Sequence, residues 1–499
     1  MHLRCLSVAV LVLAAAVPAS GQKKQAATWT FRDVTAEVVD KNPPGVGPMF
    51  DYAFVDLNDD GCLDIVVNNH HRSKPSPVWL GTRERTFRFW RNMPKTNVPI
   101  AGFWVGEVDQ NGDGKTDLVY TGNEGGVIVS INTSPAGTRE PAYRTVPIKH
   151  SSALVSFVDL EGDGDLEMLA RPGRIYDKTL TKPIQTGVQY GLWTASDFNN
   201  DGRPDLFAPG ARRRRRSWSG PRKLWKNVEG KLEEIGADSD LVTGAIGGIA
   251  RTGDFNNDGN MDLYIFGSRP PEVKDTKSAR TVFAMRLFLG DGNFGFTDVS
   301  EKAGIAASKQ KPGYSQVYLA DLNNDTFVDI VNEGNYGTRC WRNNGDGTFT
   351  EFPKKALPWT ITSHMRFDDY DMDGRLDVVT AAAGAPWKDR KTSIRVFRNE
   401  IDNGNHWLKM QLRQPDGNTM AIGASVTVYK SGTQTILGKQ ICLTDAMSYS
   451  PRLHFGLGKH ERVDVEVVFP SGRKRVRFKD IAANRYVVLR PDGSVKDVQ

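Results

Sequence analysis

Seven times along the chain a short apolar run gives way to an acidic turn and then to a second apolar run. The leading runs lie at residues 50–55, 102–108, 153–158, 192–196, 248–252, 315–320 and 363–367. The trailing runs begin with pairs such as Ile65-Val66, Leu118-Val119, Leu206-Phe207, Leu263-Tyr264, Ile330-Val331 and Val378-Val379. Runs this short, bounded by Gly, Asn and Asp, predict strands paired as hairpins rather than helices. A third strand and usually a fourth follow, most clearly over 339–352, where Asn344-Gly345-Asp346-Gly347 is hairpin chemistry. Successive turns start 53, 50, 38, 57, 67 and 48 residues apart, a spacing that suits four-stranded propeller blades. The third unit is short, and an insertion near 270–279 lengthens the fifth.

The seventh unit runs out after its third strand at 394–398 (IRVFR). A strand of the missing kind stands at the other end of the chain. Residues 30–37 (TFRDVTAE) resemble 296–303 (FTDVSEKA), so the N-terminal strand is expected to complete the last sheet and hide both edges.

The turns repeat one spacing, Asp-x-(Asn/Asp)-x-Asp-Gly-x-x-Asp. Full copies occupy 56–64, 109–117, 197–205, 254–262 and 369–377. Two variants complete the series: 159–167 has Glu161 and Glu167, and 321–329 has Thr326 where glycine is expected. Calcium is a hard cation that takes about six to eight oxygen ligands. Side chains at positions 1, 3 and 5 of such a loop point inward, glycine at 6 permits the bend, the carbonyl at 7 adds a ligand, and the acid at 9 closes the shell. An EF-hand would instead need a glutamate at position 12 and flanking helices. A solvated acidic turn without metal is the competing explanation, and the third and sixth loops leave it most room. The candidate ligands are Asp56, Asn58, Asp60 and Asp64; Asp109, Asn111, Asp113 and Asp117; Asp159, Glu161, Asp163 and Glu167; and Asp197, Asn199, Asp201 and Asp205. The remaining loops add Asp254, Asn256, Asp258 and Asp262; Asp321, Asn323, Asp325 and Asp329; and Asp369, Asp371, Asp373 and Asp377. Five Ca²⁺ sites are expected, and up to seven.

The first residues read as a secretory signal: His2 and Arg4, an apolar stretch at 6–17, and small residues before Gln22. That stretch is too short to span a bilayer, and no later one approaches spanning length. The expected location is secreted or extracellular, periplasmic or cell-surface in a bacterium. Removing the signal takes Cys5 and leaves Cys62, Cys340 and Cys442, an odd and scattered set that excludes a disulfide framework. Calcium is expected to do that work, at roughly 0.5–1.4 kcal/mol per site in millimolar calcium.

Charge then changes the picture. Setting the 23 loop carboxylates aside leaves 36 acidic residues against 65 Lys and Arg, a strongly basic remainder. Such a surface favours anionic partners: acidic polysaccharide, lipid head groups or extracellular nucleic acid. Arg212, Arg213, Arg214, Arg215 and Arg216 form the sharpest patch, with a merely solvated loop as the even alternative. Intracellular nucleic acid does not fit an exported chain. Histidines are few; His70, His71 and His364 would need to converge with an arginine or carboxylate to do chemistry. With no nucleophile elbow, zinc motif or P-loop, the expectation is a non-enzymatic recognition or adhesion module for an anionic polymer or surface protein. The alternative is a polysaccharide-active lyase or hydrolase with its site in the propeller channel. Trp79, Trp225 and Trp341 read as packing anchors, and Asn132-Thr133-Ser134 as a glycosylation sequon, meaningful only in a eukaryotic host.

Over roughly 28–400 the loops and their strands resemble FG-GAP/VCBS repeats, the units of the integrin α-subunit propeller and of many exported bacterial proteins. The resemblance implies calcium on one face of a propeller and ligands elsewhere on it. The tail, with Asn405-His406-Trp407-Leu408, 421–428 (AIGASVTV), 451–458 (PRLHFGLG) and 467–472 (VVFPSG), resembles an ASPIC/UnbV domain, the partner of such propellers in cartilage-acidic-protein-like proteins. Its middle, 442–450 (CLTDAMSYS), keeps little of the usual Gly/Ser-rich stretch. Alternation at Val463, Val465 and Val467, with turns at Asp416-Gly417, Ser431-Gly432 and Ser471-Gly472, predicts a small β-sandwich. The expected fold is therefore all-β: a signal at 1–21, a seven-bladed β-propeller at 28–400, and a C-terminal β-sandwich-like domain at 405–492.

Overall fold

The computed structural model describes residues 30–498 except 42–48, 70–75, 94–101, 123–125, 136–137, 139, 150–154, 171–173, 181–182, 186–192, 210–211, 214–216, 219–221, 236–240, 242–248, 269–283, 306–314, 335–337, 353–356, 358–363, 382–393, 416 and 446–449. The expected signal at 1–21, His70, His71, Arg214, Arg215, Arg216 and the 270–279 insertion lie outside the described residues.

Seven antiparallel sheets of four repeat-unit strands follow one another along the chain, in a propeller-like series. The first is Met49–Val55, Asp64–Asn69, Ser76–Gly81 and Phe87–Met93, hydrogen-bonded in that order. Each acidic loop joins the first strand of a unit to the second, as the hydrophobic pattern predicts. The last unit has only three strands of its own, Met365–Asp368, Asp377–Ala381 and Ile394–Asn399. Phe31–Asp33 supplies the fourth, pairing Phe31 with Asn399, Arg32 with Arg398 and Asp33 with Phe397. The likeness between 30–37 and 296–303 holds atom for atom at the turn. Val396 N donates to Thr35 Oγ1 as Leu287 N donates to Ser300 Oγ, and Asp33 pairs with Arg395 as Asp298 pairs with Arg286. After that turn the N-terminal segment forms a single helical turn, Thr35–Val38.

Neighbouring units are tied by recurrent polar contacts. Asparagines ending a third strand each donate Nδ2 to the carbonyl at position 2 of the preceding unit's loop: Asn132 to Leu57 at 3.3 Å, Asn227 to Leu160 at 2.8 Å, Asn343 to Phe255 at 2.8 Å, and Asn399 to Leu322 at 2.9 Å. Gln110 to Lys178 O and Thr194 to Ala250 O link units two to three and four to five. Arg366 reaches Asp51 Oδ2 at 2.8 Å, linking the seventh unit to the first. The Asn132 sequon is therefore not a glycan acceptor in the folded chain, because its side chain is buried and its amide is occupied by Leu57 O and Thr116 O. Trp79, Trp225 and Trp341 are buried anchors between sheets, and Cys62, Cys340 and Cys442 are buried and unpaired.

The tail forms two four-stranded sheets. One orders Arg452–Gly458, His406–Leu412, Arg485–Leu489 and Val495–Asp497; the other orders Ile436–Ile441, Ser425–Lys430, Arg462–Val468 and Arg475–Ala482. Val463, Val465 and Val467 are fully buried, as their alternation predicts. They belong to a core that runs on into Val108, Val129 and Phe157 of units two and three, so the tail and the repeats share apolar packing. Thr444–Asp445, within the 442–450 stretch, pairs with the first strand of unit three, Val155–Val158, and makes that sheet five-stranded.

Candidate metal centres

Each acidic loop is wound by its own backbone. The first aspartate accepts N–H groups from positions 5 and 6, as Asp56 does from Asp60 and Gly61 at 3.1 and 2.9 Å, and Asp369 from Asp373 and Gly374 at 3.0 Å each. The fifth residue accepts from the seventh, as Asp60 does from Cys62 and Asp325 from Phe327. Position 6 sits in the left-handed region that glycine tolerates best, at φ +82° for Gly61 and +85° for Gly374. Thr326 takes the same conformation, φ +85°, so the sixth loop keeps its shape despite the substitution.

The ninth acid fastens the loop to the sheet. In Asp117 one oxygen accepts Gln110 N and the other Asn132 N; Asp64, Asp205, Asp262, Asp329 and Asp377 repeat this clamp. Each carboxylate oxygen has two lone pairs, so the clamp leaves acceptor capacity for a cation. In the seventh loop Asp369, Asp371 and Asp373 bring carboxylate oxygens within 4.8 Å of one another. Five of the other loops carry asparagine at position 3, and in four of them, at Asn58, Asn199, Asn256 and Asn323, the amide donates to the fifth residue, as from Asn58 to Asp60 at 3.0 Å.

The electrostatics are those of buried carboxylates crowded together. Burial, followed by neighbouring carboxylates, pushes Asp56 and Asp254 up to about 7. Burial also raises Asp205 to about 8, and Asp64, Asp262, Asp329 and Asp377 well above the usual carboxylate range. All the side-chain donors are oxygen, hard and mostly anionic, and the set fits a divalent cation such as calcium.

All seven loops meet the tail. Arg413 approaches Asp59, Thr419 donates to Asp109, and Lys439 Nζ lies 3.8 Å from Asp197 Oδ2. Pro470 and Ile436 press on Gly162 and Gly259, so closely that a Cβ there would stand 2.8 and 2.5 Å from tail atoms. His454 Nε2 meets Asn324 Oδ1 at 2.8 Å, and the Trp407 indole lies over Gly374. At the centre, Arg452 bonds Asp368 at 2.9 Å, Glu107 at 2.7 Å and Phe54 O at 2.6 Å, while Lys409 Nζ stands 2.5 Å from Asp368. Sequence reasoning missed these tail cations and the inter-unit asparagines. The asparagines had a signal, the repeated Asn closing third strands; the tail contacts had none.

The comparisons with known proteins agree with this geometry. The FG-GAP-like repeat family matches residues 109–170, 197–265 and 321–380, and the ASPIC and UnbV family matches 414–496. The chain carries both elements. Human cartilage acidic protein 1 is 24% identical over 338 residues, covering 66% of this chain and 40% of that protein. The mouse protein of the same name is 27% identical over 239 residues, covering 44% of this chain and 33% of its own. The chain thus spans about two fifths of the human relative's length. A solved structure of an Agrocybe aegerita lectin, described as recognising non-reducing terminal N-acetylglucosamine, aligns over 71% of this chain and 92% of its own at TM-score 0.41 and 17% identity. That likeness is too distant to speak to a ligand. Arg212–Arg213 of the arginine run pair with Ser217–Trp218 as a small hairpin. Among the described residues no helix is long and apolar enough to cross a membrane.

Proposed function

We propose that the seven units close as a seven-bladed β-propeller, that its aspartate loops hold calcium at five to seven sites, and that the exported chain is an extracellular recognition module for an anionic polysaccharide or surface protein. The gathering of seven pre-wound, charge-starved loops on one face supports this reading most directly. The same carboxylates scattered over the surface would be solvated and need no cation. The basic balance outside the loops supports an anionic partner. Elemental analysis of protein equilibrated in calcium buffer, joined to a glycan array with and without calcium, tests both halves. Protein free of bound metal would sink the first, and an array silent toward every acidic glycan the second.

One observation favours a second reading, a polysaccharide-active enzyme. His364 Nδ1 lies 3.8 Å from Asp51 Oδ1, Asp51 also takes Arg366, and burial pushes the Asp51 carboxyl up to about 8. His364 holds φ +63°, strained for a residue with a Cβ. This is the convergence of histidine, carboxylate and arginine that acid–base chemistry needs. New reducing ends or unsaturated uronates released from an acidic polysaccharide, and lost in His364→Ala, would establish it; their absence from the wild type would dismiss it.

A further inference from the structure

We propose that the groove between units two and three is a subsite for one acidic pyranose of a polysaccharide; this rests on the polymer-recognition reading above. The groove encloses about 430 Å³, within the range of small-ligand sites. Three features of its lining converge on this ligand.

The first is an unanswered acceptor. Gln110 is nine-tenths buried, its Nε2 donates to Lys178 O at 3.3 Å, and its Oε1 has no hydrogen-bond partner. A buried amide oxygen left without a donor is costly, so a ligand hydroxyl delivered there would be strongly favoured. The second is an unanswered cation. Arg144 is exposed and pairs with no carboxylate among the described residues. A guanidinium so placed takes a carboxylate or sulfate with two parallel hydrogen bonds. The third is an apolar wall of Ile131, Val146 and Leu180 on the same groove. An acidic pyranose presents an apolar C–H face, hydroxyl donors and an anion on one rigid ring, and meets all three demands together. Two acids on the lining could repel it: Asp165 of the third loop, which Lys178 already pairs at 2.5 Å, and Asp109 of the second metal loop. A cation bound there would cancel that repulsion, which gives binding a calcium dependence.

The test is calorimetry on the full chain in saturating calcium, with three probes: oligogalacturonate, its neutral methyl ester, and poly-glutamate. Variants are Arg144→Glu, Arg144→Lys and Val146→Trp, all on partly or fully exposed positions, with thermal melts to confirm folding. We expect oligogalacturonate to bind, the methyl ester to bind about tenfold or more weakly, and both Arg144→Glu and Val146→Trp to lose about tenfold or more. Arg144→Lys should retain part of the affinity, because a point charge replaces the fork. Wild-type binding that neither Arg144→Glu nor Val146→Trp weakens would place the glycan elsewhere and overturn the subsite while leaving the polymer reading intact. Equal affinity for the methyl ester would overturn the acidic class. Poly-glutamate binding with the same Arg144 dependence would make the groove a peptide site. No binding of oligogalacturonate by the wild type would overturn the subsite, and a silent acidic glycan array beside it would take the polymer reading down as well.

Discussion

Asp368 and Asp369 are adjacent in the chain, both buried, and have opposite electrostatic fates. Burial alone would raise Asp368, but Lys409 and Arg452 outweigh it and hold its carboxyl below the usual range. Asp369 opens the seventh loop; burial and the neighbouring Asp373 and Asp371, against Lys409, push it up to about 7. The two belong to different regions. The central cluster of Glu107, Asp368, Lys409 and Arg452 contains its own cations, while the loops hold more acids than the few cations beside them, such as Lys439 at Asp197 and Arg398 at Asp371, can answer, and on the calcium reading they draw the rest from solution. A buried carboxylate is tolerable either way, but only the second kind makes the fold depend on its surroundings.

Removing solution cations should therefore strike the loops and spare the cluster. With five to seven sites of about 0.1–1 mM affinity, chelation in place of millimolar calcium is expected to cost on the order of 2–10 kcal/mol, read as a fall in Tm. A Tm equal in chelator and in calcium would erase the distinction. Arg452→Met attacks the other region. It leaves Glu107 and Asp368 short of a buried partner, at about 3–5 kcal/mol in denaturant titration, and added calcium should not restore it. Recovery in calcium would mean that the regions are not separate.

The pH response sharpens the contrast. The loop carboxyls have folded pKa values raised above their unfolded ones, to about 7 for Asp56, Asp117 and Asp254 and about 8 for Asp205, with burial first among the causes. The folded state then binds more protons than the unfolded one between about pH 4 and 8, so metal-free stability is lost as pH rises through that window. Metal-free protein should be more stable at pH 5 than at pH 8, by at least about 3 kcal/mol, the contribution of a single such carboxyl, and calcium should flatten or reverse the slope. A metal-free protein more stable at pH 8 would contradict the account. The smallest effect is expected at Thr326→Gly. The change relieves about 1 kcal/mol of left-handed strain but forfeits the bond from Asn257 Nδ2 to Thr326 Oγ1 at 3.0 Å. Stability should move by less than about 0.5 kcal/mol, with calcium stoichiometry unchanged by titration calorimetry.

The repeats were legible because their information is local. Alternation, Gly at position 6 and the spacing of acids each act within about ten residues, and 30–37 announced its role by likeness to 296–303. The clamp made by Asp64 or Asp117 was half legible. Its acid was visible, but one of the two N–H groups it grips comes from the third strand. The docking of the tail was not legible, because Thr419, Lys439, His454 and Arg452 meet loop and strand residues 84 to 345 positions away and nothing near them in sequence marks the partner. Asn132 was misread for a related reason. Its sequon is a three-residue pattern, whereas its burial against Leu57 is set by the packing of two sheets.

The strand that completes the last sheet also orders events in time. Arg32 contacts Glu400, 368 residues further on, so a chain made from its N-terminus must carry Phe31–Asp33 unpaired until nearly the whole series has been synthesised. Contacts of such separation close slowly and late. The nascent protein thus spends its longest interval with two raw β edges exposed, and a helper that shields them during biogenesis would matter more to its yield than any gain in final stability.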